Sequence, residues 1–348
     1  MHSNVPQFDF TKKITKKKIQ QFADLMIEIS EQAGFKMSSR GWAYICEQRG
    51  MITKDQFDKV ESAINRCRKE GYLPVDFTAD DAGREFEGVE KPDEGTVKDT
   101  LRWMMNNVLD GHRYYTPNWW KDEEYYIQMV VEKIDLKTLF EPVCAEYHIP
   151  IANSKGWNSI NSRAEYSRRF KQAEDMGLKC VLLYMGDHDP DGLRISDTMR
   201  KNLFDIKDIV WEDGETGYDP TDLIIDRFGL NYDFIIEQQY TWIQGLMTGG
   251  NKDLSDPKHH NHNLPYVQNY LKKIGARKCE ANVVVTTPDL IREFCRENIE
   301  RYLGVESKDR FAEKRRIVEE EYYDSLDKSG LTEPILKVLH PEQFEDEQ

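Results

Sequence analysis

Lys179-Cys-Val-Leu-Leu-Tyr-Met-Gly-Asp-His-Asp-Pro-Asp-Gly192 is the stretch that decides the fold. KCVLLYM (179–185) is a nearly unbroken apolar run, the form of a strand buried on both faces. GDHDPDG follows at once, and its Pro, Gly and crowded Asp residues end the strand in a tight acidic loop. An earlier run of the same kind, YYIQMVV (125–131), ends in Glu132-Lys133. Helical patterns at 133–147 and 161–177 alternate with these runs, and IPIAN (149–153) reads as a further strand. Strand–helix alternation predicts a parallel sheet covered by helices, an α/β domain of Rossmann-like type over residues 121–305.

In such a sheet ligands gather at the carboxyl ends of the strands, which brings Glu132 towards Asp187 and Asp189. Clustered carboxylates repel, and a divalent cation relieves that cost. Oxygen ligands without an accompanying Cys or His suit Mg²⁺, which keeps several waters and needs few protein carboxylates. Asp191, Lys133 and Arg163 are supplementary candidates in the same neighbourhood. The string Asp187-x-Asp189-x-Asp191-Gly192 also fits the first half of a calcium-binding EF-hand loop. That reading fails because the twelfth position is Thr198, the entering element is a strand, and Pro190 sits inside the loop.

Upstream, Ile19, Phe22, Leu25, Met26 and Ile29 lie at helical spacing over about residues 17–33. Ser38 and Ser39 can cap a second helix through RGWAYICEQR, closed by Gly50. Thr53-Lys-Asp-Gln56 is a capping box for a third helix, with Phe57, Val60, Ile64 and Cys67 on one stripe and Gly71 at its end. The segment YLPVDF (72–77) reads as extended. Three short helices and a strand are the order of a winged-helix module, expected over 15–115 behind a flexible arm at 1–14. The acidic, Gly-rich stretch from Asp80 to Gly95 reads as a wing or surface loop, followed by a helix at 96–109 and a connector at 112–120.

Beyond the acidic loop the sequence predicts a helix over 232–247, a polar loop at 249–263, a strand in ANVVVTT (281–287) and a helix from Pro288 to Leu303. The charged tail, 306–348, reads as helical. His259, His260 and His262 in the polar loop lack a neighbouring Cys and read as loop residues rather than metal ligands. Gly245-Leu-Met-Thr-Gly249-Gly250-Asn251 lacks the Lys of a phosphate-binding loop, so the chain carries no ATP site of that type.

With 39% hydrophobic residues, 17 Tyr, 15 Phe and 7 Trp, the chain can pack substantial cores. Six cysteines stand singly, without metal-finger spacing, and read as reduced core thiols. No apolar run approaches the roughly 20 residues needed to cross a bilayer, so the expectation is a cytoplasmic protein without a membrane partner. A net charge of -15 excludes a protein that coats nucleic acid by bulk electrostatics. DNA contact would have to be local, at Lys12 to Lys18, at Arg66, Arg68 and Lys69, or at Arg163, Arg168, Arg169 and Lys171.

A strand ending in Glu, with a later strand ending in Asp-x-Asp-Pro-x-Gly, resembles the Toprim domain of topoisomerases, primases and some nucleases. VVEK with DHDPDG most resembles the A subunit of topoisomerase VI and the related meiotic double-strand-break transesterase. That family places a winged helix before the Toprim domain, with an Arg followed four residues later by a nucleophilic Tyr. Arg40-Gly-Trp-Ala-Tyr44 occupies that place, and the i, i+4 spacing lets guanidinium and phenol share one phosphate. Trp42-Ala43 departs from the second aromatic that relatives often carry there.

The resemblance implies Mg²⁺ on Glu132, Asp187 and Asp189, and cleavage of double-stranded DNA by Tyr44, assisted by Arg40. It implies a 5′-phosphotyrosyl intermediate, as in a type IIB topoisomerase. It also implies a homodimer in which Tyr44 of one protomer works with the metal of the other, and a separate ATPase (B-type) subunit. Two other readings stay open: a Toprim nuclease that uses water, and a non-catalytic winged-helix DNA-binding protein.

Overall fold

The computed structural model describes residues 15–74, 77–78, 92, 94–154, 160–211, 213–248 and 252–344. The expected N-terminal arm, nearly all of the acidic wing and residues 155–159 of SKGWNSINSR therefore lie outside the described residues. The chain divides into two compact units, Met1–Asp81 with Glu123–Tyr302, and Ala82–Asp122 with Leu303–Gln348.

The first unit begins with α1 (Lys16–Ala33), α2 (Ser39–Gln48) and α3 (Phe57–Lys69). Thr15 caps α1 and Ser38 caps α2 through their side chains. The Thr53/Gln56 capping box forms on a short 3-10 turn that leads into α3. Ile19, Phe22, Met26, Trp42, Ile64 and Cys67 are among the residues that fill the core of this trio. No strand pairing occurs at 72–77 among the described residues, where Trp42 instead stacks on Phe77 with ring centroids 5.0 Å apart.

After α4 (Val97–Leu109), which belongs to the second unit, the chain enters the sheet. β1 (Tyr125–Val131), α5 (Ile134–Glu146), β2 (Ile151–Asn153), α6 (Ile160–Asp175), β3 (Lys179–Met185), α7 (Ile195–Phe204) and β4 (Ile224–Arg227) alternate as the sequence predicts for the first part. The strands form one four-stranded sheet in the order β2-β1-β3-β4, with every pairing parallel. The fold is thus mixed α/β around a parallel sheet. β4 escaped the sequence reading because LIIDRF (223–228) is short and interrupted by charge.

Two expectations are overturned further along. The helix predicted over 232–247 stops as α8 (Tyr232–Glu237), because Gln239 turns to φ 55° and breaks the helical path. Beyond it lie β5 (Ile243–Gln244), β6 (Met247–Thr248) and β7 (Lys252–Asp253), the last two paired as a hairpin. After α9 (Pro265–Lys273), β8 (Arg277–Lys278) pairs antiparallel with β5. The strand predicted in ANVVVTT is a 3-10 turn, Ala281–Thr286, packed against α2 and α5. Its Val residues are buried as a strand's would be, but its amides close local bonds, Val283 N–H to the Glu280 carbonyl and Thr287 N–H to that of Val284. An apolar β-branched run cannot by itself distinguish these outcomes. α10 (Pro288–Leu303) follows.

In the second unit α4 packs with α12 (Thr332–Leu339), and the 3-10 turn Gly111–Tyr114 that follows α4 packs with α11 (Ser307–Lys328). Tyr322 there donates to the Val108 carbonyl at 2.6 Å, and Lys314 to those of Trp119 and Lys121. All six cysteines are free and buried. No helix among the described residues is long and apolar enough to cross a membrane.

Candidate active site

Sheet register creates the site. Val131 pairs with Met185, so β1 and β3 end level and their next residues face each other. Glu132 N–H bonds the Met185 carbonyl at 2.9 Å, and Asp187 N–H donates to Glu132 Oε2 at 2.7 Å. Lys133 closes the pair, its ammonium 2.6 Å from Glu132 Oε1 and 2.9 Å from Asp187 Oδ2. Burial opposes ionisation of both carboxyls. The Lys133 ammonium outweighs burial at Glu132, whose pKa falls below the usual value, but not at the deeper Asp187, which is held well above it.

The acidic loop is held from three sides. Gly192 N–H donates to Asp189 Oδ1 at 2.6 Å, and a Cβ at Gly192 would collide with the Asp187 carbonyl, which accounts for glycine at the end of the motif. Arg227, at the end of β4, donates to the carbonyls of Gly186, Asp187, Gly192 and Gly229. His188 and Cys279 exchange both backbone hydrogen bonds, at 2.8 and 3.1 Å, tying the loop to the segment after β8. Asp187 Oδ1 then accepts Ala281 N–H at 2.7 Å.

Glu132 and Asp189 line a cleft of ≈ 460 Å³ together with Ser154, Tyr184, Asp191 and Arg194. Burial, reinforced by the charges of Glu132 and Asp191, raises the Asp189 pKa. Among the described residues no three His, Cys, Asp or Glu side chains converge as a preformed metal site would. Both Asp187 oxygens are already engaged by Lys133 and Ala281. The two Glu132 oxygens are likewise engaged, by Lys133 and by the Asp187 N–H, so a cation on these carboxylates would take the place of the Lys133 ammonium, with Glu132 and Asp189 facing the cleft. Two carboxylates completed by waters and substrate phosphate are a usual Mg²⁺ arrangement.

Arg40 and Tyr44 lie on α2, which two contacts fasten, one to the first turn of α5 and one to the segment after β8. At its N-terminus, Ser38 donates both its backbone N–H and its hydroxyl to the fully buried Asp135, three residues after Glu132. Near its middle, the Tyr44 hydroxyl donates to the Glu280 carboxylate, next in sequence to Ala281. Lys54 lies with its ammonium 4.6 Å from the Tyr44 ring centroid and 3.4 Å from its oxygen. Arg40 stands 3.9 Å from Glu280 and 3.5 Å from Glu61. Tyr44 is only 2% exposed. Burial first, and then the Glu280 charge, push its pKa far above that of a free phenol.

The structure therefore brings Tyr44, Arg40, Glu132, Lys133, Asp187 and Asp189 to one region of one chain. Asp191 sits at the rim, accepting from the Tyr266 hydroxyl at 2.9 Å. Arg163 lies on α6 and donates to the Asn202 carbonyl at 3.4 Å. Its neighbours in the third basic cluster serve tertiary contacts, Arg168 with Glu215 and Arg169 with Gln128. His259 and His260 stack 4.5 Å apart, and His262 bonds the Leu254 carbonyl. Sequence reasoning missed Glu280, Lys54, Asp135 and Arg227, each of which depends on at least one partner 10 to 236 positions away in the chain.

Compared with known proteins, the chain matches no family model, and no curated protein matches it significantly.

Proposed function

We propose that this chain cleaves DNA strands by transesterification from Tyr44, in the manner of a topoisomerase VI A subunit with a winged-helix and a Toprim part. The observation that carries the reading is the meeting of two separate elements at consecutive residues. Tyr44 on α2 bonds Glu280, and Asp187 of the acidic loop bonds Ala281. Nothing in the acidic motif alone requires an Arg/Tyr helix to dock there.

In this reading Arg40 binds the scissile phosphate, for which its half-exposed guanidinium is suited. Glu132, Asp187 and Asp189 would hold Mg²⁺, which would supply positive charge against a DNA phosphate. Attack by the Tyr44 oxygen exchanges one phosphate ester for another, leaving a 5′-phosphotyrosyl bond and a free 3′-hydroxyl. A homodimer would provide a second Tyr44 for the second strand, although Tyr44 here meets the acidic loop of its own chain rather than a partner's as the resemblance implies, and a separate ATPase subunit would couple cleavage to strand passage.

The test is incubation with supercoiled plasmid and Mg²⁺, stopped with detergent. DNA ends covalently attached to protein in the unaltered chain, and lost in Tyr44→Phe, are the expected result. Trapping undiminished in Tyr44→Phe overturns the assignment. One observation favours a second reading: with Tyr44 buried, the open cleft at Glu132 and Asp189 could direct water instead. Free ends produced equally by Tyr44→Phe would establish that hydrolytic nuclease.

A further inference from the structure

A phenol ionises only near pH 10, so a tyrosine nucleophile must give its proton to something as it attacks. The surroundings of Tyr44 name that group. A phenol has one proton to donate, and here it is directed at the Glu280 carboxylate. Lys54, 3.4 Å from the same oxygen, can only donate to it, and its ammonium also lies over the faces of Tyr44 and Phe57. Glu280 is fixed in turn by Lys278 at 3.4 Å and Arg40 at 3.9 Å. Its backbone is anchored on both sides, by the Cys279–His188 pairing and by the Ala281–Asp187 bond.

Resting on the function proposed above, we infer that Glu280 is the base that accepts the Tyr44 proton at the cleavage step, with Lys54 as the counter-charge to the phenolate oxygen. The phenol proton passes to a Glu280 oxygen as the Tyr44 oxygen–phosphorus bond forms. The phosphorus–O3′ bond breaks, and the leaving 3′-oxygen takes a proton from solvent. Protonated Glu280 then returns its proton to solvent, so charge and atoms balance without a further reactant. On resealing, the 3′-hydroxyl gives its proton to solvent as it attacks, and Glu280, having taken a proton up from solvent, gives it to the departing phenol.

The experiment is detergent trapping of covalent protein–DNA complexes by the full chain and its Glu280→Gln variant, with DNA binding measured in parallel. Gln keeps the size and an acceptor oxygen but is no base, so trapping should fall about 100-fold or more while DNA binding persists. Replacing Tyr44 in that variant with a fluorinated tyrosine, which ionises near neutral pH without help, should restore trapping. If the unaltered chain traps and Glu280→Gln traps as much or more, Glu280 is not the base, and greater trapping would make it a restraint on Tyr44. A loss that fluorotyrosine does not repair assigns Glu280 a structural role and overturns the inference too. If the unaltered chain traps nothing, the proposed function itself fails and this inference with it. Should Glu280→Gln not fold, Lys54→Met decides. A drop of about 10-fold or more, repaired by fluorotyrosine, is expected, and unchanged trapping refutes the arrangement.

Discussion

The Lys133 ammonium sits 2.9 Å from the Asp187 carboxylate while also touching Glu132, so one side chain bridges two carboxylates that a strand register forces together. Burial and the two negative partners act in opposite directions on Lys133, and the partners prevail, raising its pKa. Lys133→Met leaves Glu132 and Asp187 facing each other without that charge. Breaking a largely buried pair costs about 3 kcal/mol, at the low end of such losses because Lys133 is partly exposed. The melting temperature of the variant should fall, and millimolar Mg²⁺ should recover more of it than it adds to the unaltered chain. A variant whose melting is indifferent to Mg²⁺ would count against these carboxylates as cation ligands.

Gly41 sits inside α2 between Arg40 and Trp42, where alanine would favour the helix by about 1 kcal/mol. A Cβ there, however, would lie 2.9 Å from Asp135 Oδ2 and 3.1 Å from Met37 Cβ. Asp135 cannot retreat without giving up the Ser38 bonds that hold the start of α2. We therefore expect Gly41→Ala to destabilise the chain despite the better helix former, by about 1–3 kcal/mol as in overpacked cores. Denaturant unfolding measures it, and a stabilised variant would show that α2 is not clamped at Asp135.

Much of this arrangement was legible because it is local. The apolar runs at 125–131 and 179–185, the Ser38 cap, the Thr53/Gln56 box and the acidic loop each announce themselves within a few residues, and strand alternation made the sheet parallel. What stayed hidden depends on distant partners. ANVVVT looks like a strand because burial, not pairing, selects its Val residues, and only α2 and α5 reveal what covers it. Glu280 and Asp135 are ordinary acids in their own segments, and they become clamps only once α2 is docked.

Arg227 carries a comparable hidden role. Its half-buried guanidinium faces carbonyls rather than a paired carboxylate, and partial burial lowers its pKa. Lysine offers the same charge but no planar fork, so Arg227→Lys leaves several of those carbonyls without donors. The expected cost is about 3 kcal/mol, together with loss of Mg²⁺-dependent DNA cleavage, because the Asp187–Gly192 loop loses its shape. Retention of full cleavage by Arg227→Lys would mean that Gly192 and the Cys279 pairing suffice to shape the loop.

His188 contributes a pH dependence of its own beside those of Asp187 and Asp189. It is buried between Trp242 and Tyr270, its Nδ1 bonds the Leu230 carbonyl at 2.6 Å, and its Nε2 has no hydrogen-bond partner among the described residues. Burial depresses its pKa to about 4, against about 6.5 for an unfolded chain. The unfolded state therefore binds the extra proton first as pH falls. The stability linked to His188 is present in full above pH 6.5 and is lost progressively down to about pH 4, a swing of about 3 kcal/mol. Unfolding free energies of the unaltered chain and His188→Phe, measured from pH 7.5 to 4, should diverge in slope, with the variant flatter by close to one proton near pH 5. Parallel slopes would show that His188 can be protonated within the folded chain at little cost.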